Sequence, residues 1–175
     1  MVKLLASLSK KMIEYQHLLL ILLSVFLIST SGWILMGRGI RANASIWDLL
    51  HVYLGLLAAF FSVTFLLSNV RQGKWRQYFP WLAGDFAQVS ADIKGLFKGK
   101  IPAAGGKGLF SLIEGIGLLL LFVVALTGTI WFCLQGSSEA LAWRSWHHVF
   151  AKGFIGFVVL HCICAASHLL DFIRN

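Results

Sequence analysis

The stretch His147–His161, HHVFAKGFIGFVVLH, is apolar except for one lysine between the histidines at its two ends. A run this apolar reads as part of a membrane helix, and ionisable side chains held in a bilayer at a cost point to function. Fourteen positions at 100° per residue leave the imidazoles of His147 and His161 about 40° apart around the helix and roughly 21 Å apart along its axis. Two sites therefore share one helical face, one near each membrane surface.

The rest of the chain has the same character. Its 175 residues are 58% hydrophobic and 13% charged, and the mean hydropathy of +0.80 lies far outside the soluble globular range. Four stretches, residues 15–36, 46–67, 109–134 and 147–173, are long enough to cross about 30 Å of hydrocarbon. They lack the short alternation of barrel strands, so the expected fold is all-α, an integral membrane four-helix bundle forming a single domain. The first stretch exceeds a typical signal-peptide core and lacks a clear A-x-A-like site, so it is expected to stay as the first span. Lys3, Lys10 and Lys11 precede it, and Arg71, Lys74, Arg76, Lys94, Lys98, Lys100 and Lys107 crowd the middle connection. The other connections hold only Arg38, Arg41 and Arg144, so both termini and the middle connection are expected on the cytoplasmic side. That topology accounts for the net charge of +8 without a nucleic-acid partner.

Within the middle connection, residues 85–100 read as an amphipathic segment. Phe86, Val89, Ile93 and Phe97 recur at helical spacing with Lys94, Lys98 and Lys100 beyond them, which suits a helix in the cytoplasmic interface; a partner-docking helix is the alternative. Trp33, Trp47, Trp131, Trp143 and Trp146 fall near the outer boundaries as aromatic anchors. Cys133, Cys162 and Cys164 read as packing residues, and the absence of C-x-x-C-H excludes the usual covalent haem attachment.

With this orientation the histidines fall into depth-matched pairs. His51 and His147 lie toward the outer side, His17 and His161 toward the cytoplasm. A lone histidine near a helix end is often only an interfacial residue, but two matched pairs suit axial ligation of two b-type haems between facing helices. His148 lies about 140° from His161 around the helix, which makes His147 the better ligand. Gly55, Gly153 and Gly156 leave room for a macrocycle or for a neighbouring helix. Arg144 and Lys152 flank the outer site as candidates for the haem propionates; for Lys152, snorkelling to water is the alternative. His168 is a candidate quinone or propionate contact, or an interfacial residue.

Five features taken together carry a resemblance: HLLLILLSVFLISTSG at 17–32, HVYLG at 51–55, DIKGLFKGKIPAAGGKGLF at 92–110, VVALTG at 123–128, and the histidine spacing above. They resemble the di-haem cytochrome b subunits of membrane-bound formate dehydrogenases and nickel-iron hydrogenases, akin to bacterial cytochrome b561. The resemblance implies a bacterial inner-membrane electron-transfer subunit of a quinone-linked oxidoreductase, its two haems linking quinone to a redox partner, such as an iron-sulfur protein, on the periplasmic side. It assigns His51 and His147 to the outer haem and His17 and His161 to the inner one. An N-A-G-Q-K motif near the menaquinone site of formate dehydrogenase relatives corresponds to AAGGK at 103–107, which keeps Gly105 and Lys107 but has Ala103 and Gly106 at the Asn and Gln positions. Lys10 or Lys11 stands in for the basic residue that usually precedes the first ligand. Glu114, in the cytoplasmic half of the third span, is a candidate proton relay to menaquinone or ubiquinone, or a hydrogen-bonding partner for another helix. The rival readings are a free-standing cytochrome b561-type quinone oxidoreductase, and a metal transporter or membrane anchor.

Overall fold

The computed structural model describes residues 2–71, 75–102 and 105–174, and seven α-helices follow one another among these described residues. They are α1 (Val2–Thr30), α2 (Ile46–Asn69), α3 (Trp75–Tyr78), α4 (Pro80–Ala83), α5 (Ala87–Leu96), α6 (Leu109–Cys133) and α7 (Ala140–Arg174). Among the described residues there is no strand. The apolar spans are Tyr15–Trp33, Ile46–Asn69, Leu109–Cys133 and Ala140–Leu170, which bears out an all-α protein with four membrane-crossing helices.

Two of the boundaries that differ from those expected are set by local polar contacts. Apolar character carries the first span to residue 36, yet α1 stops at Thr30. There the Thr30 hydroxyl donates to the Phe26 carbonyl at 2.8 Å and the Ser31 hydroxyl to the Ile28 carbonyl at 2.7 Å. A single 3-10 turn, Ser31–Trp33, then leads into extended backbone at Ile34. The fourth span begins seven residues before His147, at Ala140. Gly136, at φ +85°, turns the chain after α6 in the left-handed conformation that favours glycine, and the Ser137 hydroxyl accepts from the Ala140 N–H at 3.3 Å.

The chain divides into two compact units. The first contains Met1–Ser68 and Leu121–Ala151. Its connection after α1 is held from both sides. The Trp131 indole donates to the Gly37 carbonyl at 3.1 Å, the Gln135 side chain accepts from Ile40 N–H at 2.9 Å, and Gly136 N–H donates to the Arg38 carbonyl at 2.9 Å. Asp48, 1% exposed, gathers the other side. Its carboxylate accepts from the Leu35 N–H at 2.8 Å, the Ser45 N–H at 3.0 Å and the Arg41 guanidinium at 3.4 Å. Ser45 returns a contact by accepting from the Asp48 N–H at 3.1 Å, so Ser45 and Asp48 form a reciprocal cap that starts α2 one turn before His51. Asp48→Asn leaves one oxygen where two serve three donors, and turns an amide N–H toward one of them. Its expected cost is about 2 kcal/mol, read as a lower unfolding midpoint by circular dichroism in detergent.

The second unit contains Asn69–Leu120 and Lys152–Asn175. Here the first half of α6 meets the second half of α7 through small residues, as membrane helices pack. Gly117 lies under the Phe157 ring, where any Cβ would collide, and Gly153 faces Leu120 at 3.4 Å. The α3 turn seats its Tyr78 carbonyl against Gly115, and the Gln77 amide donates to the Ser111 hydroxyl at 2.9 Å.

Candidate cofactor site

Within the first unit, α2 and α7 bring His51 and His147 together. Their ring centroids are 6.4 Å apart and their planes nearly perpendicular, at 88°. His147 Nδ1 lies 3.0 Å from the Val124 carbonyl. A carbonyl only accepts, so Nδ1 carries the proton and the lone pair resides on Nε2. The same carbonyl also accepts from the Thr127 hydroxyl at 2.9 Å. Gly128 makes the ring's position available, since a Cβ there would lie 3.1 Å from His147 Nδ1. The VVALTG segment thus has a local role: Val124 sets the tautomer and Gly128 clears the space.

The pair fits a shared metal. Bonds of about 2 Å to imidazoles on opposite sides of a metal, with each ring centroid roughly 1.1 Å beyond its nitrogen, would give a centroid separation of about 6.2 Å. His51 Nδ1 is buried and, among the described residues, has no hydrogen-bond partner. Arg144, one turn before His147 on α7, likewise has a buried Nε without a partner among the described residues. A buried donor left unpaired costs about 1–3 kcal/mol, which an acidic substituent on a bound group would recover. His148, the exposed neighbour, has its ring centroid 6.5 Å from that of His147.

The remaining candidates are placed as follows. His17, on α1 in the first unit, stacks on Phe65 of α2 at 5.6 Å with planes 7° apart, beside a Gln16–Thr64 hydrogen bond. His161, on α7 in the second unit, lies 5.5 Å from the Phe157 ring. Lys152 is exposed. In the second unit His168 packs edge-on against Phe110 at 4.4 Å, and its Nε2 is buried with no hydrogen-bond partner among the described residues. Glu114 is half-buried, one turn along α6 from Phe110. Burial, reinforced by the Glu114 carboxylate, raises the Tyr78 hydroxyl above the ordinary phenol range. In the AAGGK motif, Ala103 and Ala104 lie outside the described residues, and Gly105 is exposed at φ +80°. Lys107 pairs with Asp85 at 2.7 Å, and that hydrogen bond and charge hold the Asp85 carboxyl below the usual carboxylate range. Gly55 and Gly156 face open space.

Four residues in these networks carry roles that sequence reasoning missed. The Ser45-x-x-Asp48 spacing was a readable capping signature. Val124 and Gly128 act through a carbonyl and a missing side chain, which become meaningful only once α6 lies against α7.

Four apolar helices, two of which bring a pair of imidazoles together, define a multi-span membrane protein with a paired-histidine site. The chain matches the prokaryotic cytochrome b561 family over residues 13–170 and belongs to it. No curated protein and no solved structure matches it. As a family member it is a multi-pass protein of the prokaryotic inner membrane, with b-type haem as its cofactor and transmembrane electron transfer as its role.

Proposed function

We propose that the chain carries two b-type haems and passes electrons between the membrane quinone pool and a redox partner at the opposite face. The observation that carries this reading is the 6.4 Å separation of the His51 and His147 rings. Two imidazoles alone are too few for a tetrahedral zinc site, whereas haem iron supplies four macrocycle nitrogens and takes two axial ligands. When bound, the haem supplies a one-electron iron couple. His51 and His147 hold it from facing helices; Val124 orients the second ring, and Arg144 offers its buried Nε to a propionate. The Ser45–Asp48 cap fixes the start of the helix that presents His51.

The second haem falls to His17 and His161, matched in depth by their positions along the first and fourth spans. The excess of basic residues in the middle connection favours a cytoplasmic position for that pair, while Lys152 stands with Arg144 as a propionate candidate at the outer site. Quinone is assigned to the same side, where His168, Glu114, Gly105 and Lys107 are the candidate contacts and Glu114 the proton relay. The partner, an iron-sulfur protein in this reading, docks at the outer side near the His51 and His147 site.

Gly128→Leu tests the site without touching a ligand. A branched side chain beside the His147 ring is expected to lower haem content to about half while the protein still elutes as a single folded species. The quinone assignment is tested by adding menaquinol or ubiquinol to the oxidised protein and following the reduced α band. Reduction in the parent and its slowing in Glu114→Gln are expected; no reduction by either quinol would remove quinone from the account.

A further inference from the structure

The segment between α2 and α6 exposes a set of large apolar side chains. Leu82 is 66% exposed and Phe97 88%, with Phe86, Ile93 and Leu96 between 42% and 48%. On the wheel of α5, Phe86, Ile93 and Phe97 fall within about 40° of one another, and Lys94 lies roughly 80° from Phe86. Val89 and Asp92 face inward and are buried. The exposed apolar side chains therefore extend beyond the face that packs α5 onto its own unit, adjoining it on one side and the lysines on the other.

Two observations say what covers them. The first is depth. The buried Asp92 carboxylate accepts from the Leu109 N–H at 2.8 Å and from the Gln88 amide at 2.7 Å, so it ties α5 to the first residue of a membrane-spanning helix. Gly108 passes so close to Asp92 that no side chain fits between them. The tether holds α5 at the level where the α6 span begins, which is the headgroup layer. The second is charge. Both acids of the segment are engaged, Asp92 inside and Asp85 with Lys107, while Lys94, Lys98 and Lys100 are exposed and make no ion pair among the described residues. Aromatic and aliphatic side chains beside uncompensated lysines match an interfacial helix on an anionic leaflet.

We propose that residues 82–100 form an in-plane anchor that binds the anionic lipid surface, with Phe97 inserted at the acyl boundary and Lys94, Lys98 and Lys100 paired with lipid phosphates. The anchor holds the start of α6 at a fixed depth through Asp92. It requires only that α6 spans the membrane, and so stands apart from the haem and quinone assignments.

The test uses the full chain in nanodiscs of phosphatidylcholine alone and of phosphatidylcholine with phosphatidylglycerol. A nitroxide is attached at Phe97→Cys, and separately at Leu82→Cys, after replacing Cys133, Cys162 and Cys164, the free cysteines. Collisions with oxygen, enriched in lipid, are compared with collisions with a water-soluble nickel chelate. Both labels are expected to favour oxygen several-fold and to sit deeper in the anionic discs; Lys94→Gln/Lys98→Gln/Lys100→Gln is expected to abolish that lipid dependence. Free access of the chelate to both labels would overturn the anchor. Shielding from both reagents would overturn it in favour of a protein partner or a second copy, and depth indifferent to lipid charge would overturn the anionic preference.

Discussion

His147→Ala is expected to cost the protein one haem and to stop electron delivery to the outer face, while His148→Ala leaves both intact. His147 faces His51 at 6.4 Å and is oriented by the Val124 carbonyl. His148 is exposed, and its position around α7 is about 100° away. Removing the ring leaves His51 without its facing imidazole and opens a void beside Gly128, where a Cβ would lie 3.1 Å from that ring. The measurement is electron transfer in proteoliposomes, from quinol added on the side of the middle connection to an oxidant confined to the other. In His147→Ala the rate is expected to fall to the protein-free background, with reduction of the remaining haem by quinol preserved. Equal rates in the two variants would show that another group ligates the outer haem.

Gly115→Ala is expected to destabilise the protein although alanine is the better helix former. Intrinsic propensity favours alanine over glycine inside a helix by about 0.8–1 kcal/mol. Against this, a Cβ at Gly115 would collide with the Tyr78 carbonyl, a main-chain group that cannot turn aside without moving α3. Overpacking of this kind costs about 1–3 kcal/mol, so the collision outweighs propensity and the midpoint of thermal unfolding falls. The Gln77–Ser111 hydrogen bond is expected to break as the turn lifts, and Tyr78 moves away from Glu114. Gly95→Ala is the matched control: its added Cβ meets only the Lys100 side chain at 3.7 Å, an ordinary contact, and stability should be unchanged or slightly raised. A midpoint in Gly115→Ala at or above the parent's would contradict the packing described for the second unit.

The spans were readable because twenty or so apolar residues in a row have few alternatives to a membrane helix. Their ends were not, because local polar contacts decide them. Thr30 and Ser31 turn their hydroxyls onto the preceding carbonyls, and the chain then continues as a 3-10 turn into extended backbone at Ile34, with no helix at Leu35 and Met36. The start of α7 at Ala140 depends on Gly136 and Ser137 and owes nothing to hydropathy. The meeting of His51 with His147 was legible in their sequence positions once the direction of each span was assigned. What orients the pair was hidden, since a backbone carbonyl at Val124 and a glycine at 128 leave no chemical signature in a sequence. The middle connection shows the same division. Its amphipathic stretch was visible as a period of three to four, but its attachment through Asp92 to Leu109 N–H requires two segments that only folding brings together.

Haem b per polypeptide, measured by pyridine haemochrome on the purified chain beside the His51→Ala/His147→Ala double variant, is the most direct test of the central claim. Two haems in the parent and one in the double variant are the predicted result. Zero or one haem in a parent made with ample haem, or two haems surviving in the double variant, would contradict it.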